Sequence, residues 1–339
     1  MENSSEIKSN ISTKKLTWSW SWWQVKILIA GILLYYLFSS GKLSLDLFYH
    51  DFSFGSLVNI IIAGLFILFA YVLSSQRIFL LFEAQGLPFS KMFCFQVNLI
   101  GYFFNNFLPA SIGGDAMRAY YFAKARRQNL APILATLVYD RLLGFLALIL
   151  FTIMGLGLGH LVERNLVWTR ELRWALAGLV GALFIFIISY FMARWPRVKG
   201  LLEFLCAKIP WGDAILRLLG SIANLSKFGL LSLALVGISF GSQLSMVLAL
   251  YFTGQAFGLD PRFWLTIILS PLIFLSGLLP LAPNNIGWTE YIGSFMWASQ
   301  GMGQGGNLWM AYRVVCILVS LSGLIVYLRL RAGALSYES

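Results

Sequence analysis

The chain has 339 residues, 59% hydrophobic and only 12% charged, with mean hydropathy +0.77 and formal charge +11. A water-soluble domain could not bury that much apolar surface, so the solvent for most of this chain is lipid. The positive balance does not require nucleic acid, because Lys and Arg collect in the cytoplasmic loops of membrane proteins.

The first 20 residues are polar and Ser-rich, and the apolar run after them lacks a small-residue cleavage site, so no removable signal is expected. "TWSWSWWQVK" instead reads as an interfacial anchor, with Trp at headgroup depth. Apolar stretches long enough to cross about 30 Å of hydrocarbon follow at 24–39, 56–74, 131–157, 174–194, 228–252 and 308–329. Two others, 92–108 and 262–282, run into irregular sequence. The cysteines Cys94, Cys206 and Cys316 lack metal or disulfide spacing, and His50 and His160 sit in short loops. Neither a metal nor a cofactor is expected.

The first interruption, "NNFLPASIGGDAMRAYYFAKARR", breaks a helix with Pro109, Gly113 and Gly114 and places Asp115 directly after the break. If 92–108 were a full span, Arg118, Lys124, Arg126 and Arg127 would lie outside, against the positive-inside rule. If 92–127 enters from the cytoplasm and returns, most basic residues lie inside. The outer pieces then keep Lys42, Arg164, Arg170, Arg173 and Arg262. That count assigns Arg77 to an inner loop, leaves Arg141 and Arg313 inside spans, and places both termini in the cytoplasm.

The interruption recurs as "LLPLAPNNIGWTEYIGSF", where Leu279-Pro280, Ile286-Gly287 and Glu290 follow the order of Leu108-Pro109, Ile112-Gly113 and Asp115. Each break is followed by a span bearing an arginine, Arg141 in "YDRLLGF" and Arg313 in "AYRVVCI". Pro and Gly are common in membrane helices, so chance is the competing account. The shared order of Leu-Pro, Ile-Gly, acid and arginine argues for a repeat. The expected fold is an all-α polytopic membrane protein of six spans and two re-entrant helical hairpins, arranged as two inverted repeats over roughly 21–157 and 174–330. Eight full spans is the alternative. The whole chain is one membrane domain, and the basic segment 195–227 is expected along the inner leaflet, drawn by anionic lipid.

Irregular backbone at membrane depth must be satisfied by protein or by a water-filled cavity. Asp140 lies about 15 Å into its helix counted from Leu130, near mid-bilayer, where each charge costs roughly 2.5–3.5 kcal/mol. Neighbouring helix positions point about 100° apart, so Asp140 and Arg141 face different partners. Arg141 is expected to reach Asp115 or a ligand, and Glu290 is the natural partner of Arg313. Three roles stay open for these charges: internal ion pairs, binding of an anionic headgroup, and proton coupling. Substrate contacts are expected from Arg118, Arg141, Arg313, Asn284, Asn285 and Tyr291. Gating or coupling is expected from Pro109, Gly113, Gly114, Asp115, Asp140, Pro283, Gly287 and Glu290.

No nucleophile, base or metal cluster is visible, so an enzyme is not expected, although a lipid-modifying transferase or its accessory subunit is the runner-up. The order of the two aspartates also argues against an intramembrane aspartyl protease.

"NNFLPASIGGDAMRAYYF", "YDRLLGF" and "PNNIGWTE" together resemble the successive motifs of the lysylphosphatidylglycerol synthase transmembrane-region family, also called flippase-like domain proteins. The resemblance covers roughly 20–330. It implies a bacterial or archaeal plasma-membrane protein moving a polar or anionic lipid between leaflets, with membrane lipids as substrate. A homodimer or a lipid-synthesis enzyme is the further partner it suggests. By position it puts weight on Pro109, Gly113, Gly114, Asp115, Arg118, Asp140, Arg141 and Glu290. No synthase domain is recognised after the last span, so aminoacyl transfer is not expected. Trp288 stands where a further Gly would fit the family pattern.

Overall fold

The computed structural model describes Leu28, 30–41, Leu43, 53–87, 89–107, 113–126, 130–162, Val167, 169–192, 229–277 and 281–331. The Trp-rich anchor, Pro109, Ile112, Arg127 and the inner-leaflet segment 195–227 lie outside these residues.

Within them the secondary structure is helical, without strands. The helices are α1 (Ala30–Ser39), α2 (Phe54–Ala84), α3 (Lys91–Phe107), α4 (Gly113–Arg126), α5 (Leu130–Val162), α6 (Arg170–Met192), α7 (Gly229–Ala256), α8 (Phe263–Ser276), α9 (Trp288–Ala298) and α10 (Gly305–Arg331). Four are long and apolar enough to cross a membrane: α2, α5, α7 and α10. The chain is a polytopic helical membrane protein.

The α2 helix shows why it belongs in lipid. Ile61, Leu65, Phe69 and Val72 recur every three or four residues and are exposed, whereas Ala63, Ile67, Ala70, Tyr71 and Ser74 face inward. A helix that is apolar all round has no water-facing side to offer. Lipid tails are as apolar as Leu, so close packing and hydrogen bonds, rather than exclusion of water, hold the bundle together. Small residues serve that purpose where α2 meets α7, and the Ser242 hydroxyl donates to the Ala70 carbonyl across the contact at 3.3 Å.

The interruptions form helix–break–helix units. The α3 and α4 helices pack along each other, as do α8 and α9. At about 1.5 Å per residue, the 14-residue α4 and α8 cover roughly 21 Å, short of a crossing. The order helix, helix, hairpin, helix occurs twice, and the partners exchange between halves: α10 packs on α3 while α5 packs on α8. The largest buried cluster, with Ile67, Leu269, Trp297 and Trp309, joins both halves. A second, built on Phe82, Phe89, Phe93 and Phe122, ties the end of α2 to the first hairpin.

Gly114 sets the approach of α3 to α4. A methyl group there would run into the Gly101 carbonyl oxygen and the Asn105 amide. Gly114→Ala should therefore force the limbs apart, with an overpacking cost of about 1–3 kcal/mol. Thermal melts of purified protein would show a lowered Tm, and an unchanged melt would mean that the limbs yield freely.

One expectation needs correcting. Arg77 is not a loop charge: α2 continues to Ala84, beyond the expected limit of 74, and carries Arg77 buried within the bundle. Arg118 is likewise buried in α4 rather than displayed at the membrane surface.

Candidate functional site

Both returning helices carry an acid in the third helical position, Asp115 in α4 and Glu290 in α9. The free N–H groups there favour a carboxylate. The Asn105 side chain accepts from the Gly114 N–H at 3.0 Å, and Glu290 Oε2 accepts from the Gly287 N–H at 2.8 Å. Gly287 has φ +82°, and a Cβ there would press on Leu33 and the Ala30 carbonyl, so α1 lies directly against the second break.

At the first hairpin, Asp115 answers to two arginines. Arg141 from α5 grips it side-on, Nε to Oδ2 at 3.1 Å and Nη2 to Oδ1 at 2.6 Å. Arg118, one turn along α4, gives Nη1 to Oδ1 at 2.7 Å. The Arg118 guanidinium lies 4.8 Å from the Tyr102 ring centre, and Tyr102 stacks on Tyr71. The Arg118 side chain is 3% exposed, Asp115 32% and Arg141 52%.

At the second hairpin the charged groups are buried and fully engaged. Glu290 Oε1 accepts from Arg313 Nε at 2.5 Å, and the remaining Arg313 nitrogens are also engaged. Nη1 donates to the Asn284 carbonyl, and Nη2 to the Thr289 hydroxyl and the Asn285 carbonyl. Asn284 and Asn285 have φ +46° and +54°, the left-handed region that Asn tolerates better than most residues. Arg313 clamps the carbonyls of this strained turn. Glu290 is fully buried and the Arg313 side chain 14% exposed. Asn285 donates to the Gly277 carbonyl, and Tyr291 stacks on Trp288 and meets Tyr36 edge-on.

The hairpins touch at the breaks, where the Asn284 amide donates to the Asn106 side-chain oxygen at 3.0 Å. The structure therefore gathers Asn284, Asn285, Gly287, Glu290 and Arg313 into one cluster and Gly113, Gly114, Asp115, Arg118 and Arg141 into another. Pro283 begins the short turn before Glu290.

Asp140 makes no hydrogen bond within either cluster. Its partner is Arg77, with Nε to Oδ1 at 2.5 Å and Nη2 to Oδ2 at 3.0 Å. Arg77 Nη1 continues to the Ser239 hydroxyl of α7 at 2.6 Å. One buried network thus joins α2, α5 and α7. Sequence reasoning missed Arg77 because an arginine near the end of an apolar run looks like a flanking charge. It also missed Asn105, Asn106 and Thr289, short polar residues whose roles depend on what packs opposite. Asn105 and Asn106 did carry a signal, since "NN" precedes one break and lies within the other.

Among the described residues no group of His, Cys, Asp and Glu could hold a metal ion.

A family model of the lysylphosphatidylglycerol synthase transmembrane region matches residues 23–328. A UPF0104 membrane protein of Methanothermobacter thermautotrophicus is 24% identical in an alignment of 238 positions, and the match covers 62% of this chain and 66% of that relative. The chain thus spans less than two thirds of that relative's length. No solved structure matches.

Proposed function

Since the chain belongs to the lysylphosphatidylglycerol synthase transmembrane-region family, we propose that it carries a polar or anionic lipid headgroup between the leaflets of the plasma membrane. The observation that carries this reading is the half-exposed Arg141 beside Asp115. Arg141 is the twelfth residue of a helix long and apolar enough to span the bilayer. A guanidinium exposed at that depth cannot face hydrocarbon without a large penalty. A water-lined or headgroup-lined gap next to the first hairpin accounts for its exposure.

In this mechanism the two halves are inverted repeats whose breaks meet through Asn106 and Asn284. Broken helices meeting near mid-bilayer are a recurring transporter design. The first cluster takes the headgroup. Arginine suits the task, with a planar fork that matches phosphate and a charge it keeps. Asp115 holds Arg141 in the empty state and is displaced as the headgroup binds. The acyl chains stay in lipid throughout. Arg313, fully engaged by its own turn, keeps the second hairpin shut until the first has loaded.

Reconstituted protein should move a fluorescent phospholipid between liposome leaflets faster than protein-free vesicles, as measured by dithionite quenching. Equal rates across anionic and zwitterionic lipids, with and without a proton gradient, would end this proposal.

A further inference from the structure

Four arginines of the bundle can be compared atom by atom. In Arg77 and Arg141 the edge formed by Nε and Nη2 grips a carboxylate side-on. In Arg313 the same edge meets Glu290, Thr289 and the Asn285 carbonyl. In Arg118 that edge is unpartnered: Nε and Nη2 are both buried and neither has a hydrogen-bond partner. Only Nη1 is engaged, on Asp115.

Charge tells the same story. Arg77 and Asp140 neutralise each other, whereas Arg118 and Arg141 share the single carboxylate of Asp115. The cluster is one negative charge short. Burying a cation that shares its counter-charge and leaves two N–H groups unsatisfied is costly. The Arg118 guanidinium is also fixed in place, stacked on Tyr102 and pressed against Gly101, where any Cβ would strike it.

We propose that the Nε/Nη2 edge of Arg118 is the binding site for one oxyanion of the phosphate class, taken bidentately and neutralising the cluster. This deepens the transport reading and rests on it for the route by which a lipid would arrive. The edge is buried beside Gly101 of α3, so binding requires α3 and α4 to part there. Asp115 stays on Arg141 or moves aside, while Arg118 remains stacked and pre-oriented. Two sources share this chemistry, the phosphodiester of a lipid headgroup and free inorganic phosphate.

The test uses the full chain labelled with ¹⁵N-arginine, in neutral galactolipid nanodiscs. Arg118→Lys identifies the Arg118 Nε signal by its disappearance. Adding phosphatidylglycerol should shift the wild-type signal downfield, and native mass spectrometry should show at least tenfold more retained phosphatidylglycerol on wild type than on Arg118→Lys. Lysine keeps the charge and lacks the fork. A shift produced by inorganic phosphate and not by the lipid would keep the site and assign it to a soluble anion. An Arg118 signal indifferent to both probes, or equal retention by a folded Arg118→Lys, would overturn the site. If Arg118→Lys fails to fold, Tyr102→Leu assigns the same signal by the shift that follows loss of the ring stacked on Arg118. Arg118-dependent binding in a protein that moves no lipid would preserve the site and remove the transport reading. Wild-type transport with a silent Arg118 would do the reverse.

Discussion

Vesicles carrying Arg141→Ala should translocate labelled lipid at least tenfold more slowly than wild type, with the protein still folded. Each charge-assisted hydrogen bond contributes about 1.5–3 kcal/mol, and roughly 1.4 kcal/mol is a factor of ten in rate or affinity. Arg141 directs two such bonds at Asp115, and in the proposed mechanism the same edge takes the headgroup. The fold should tolerate the loss, because Arg141 is 52% exposed and Asp115 keeps its contact with Arg118. Arg141→Lys should fall between the two. A melt within a few degrees of wild type, together with undiminished lipid movement, would show that Arg141 is only a strut.

Asp140→Ala should act on stability instead. Removing one partner of a buried ion pair leaves a bare charge and costs about 3–5 kcal/mol. Here the Arg77 and Asp140 side chains are 10% and 5% exposed, and Ser239 is the remaining partner of Arg77. The variant should melt well below wild type or accumulate poorly. The double variant Arg77→Met with Asp140→Leu should recover most of the loss, since apolar replacements of buried pairs are often neutral. If Asp140→Ala melts like wild type, then water reaches Arg77 and the network is not dry. The contrast between the variants separates two adjacent residues by role. Asp140 fastens three helices, whereas Arg141 stands half-exposed beside the first hairpin.

That division shows where the sequence was legible. Consecutive helix positions diverge in angle, so opposite partners for Asp140 and Arg141 follow from helical geometry alone. The pairing of Glu290 with Arg313 was readable from the repeated order of break, acid and arginine. The partner of Asp140 was not. Arg77 is 63 residues away and falls where hydropathy alone ends a span, and only the packing of α2 on α5 and α7 shows that the helix runs on. The contact between Asn106 and Asn284 bridges 178 residues and leaves no local signal beyond the two "NN" pairs.

Composition and periodicity settled the solvent. An apolar chain with interrupted helices has to be a bundle in lipid, because backbone polar groups there must be satisfied within helices or at protein-lined breaks. The two breaks, their acids and the arginines after them are equally fixed by local order. What tertiary structure decided is the inequality of the two clusters: Glu290 and Arg313 are sealed and saturated, whereas Asp115 is shared and Arg118 keeps an unpartnered edge. Residue types at matching positions cannot express that difference. It depends on how many carbonyls, hydroxyls and carboxylates neighbouring helices bring within about 3 Å of each guanidinium, and that number is set by packing across the bundle.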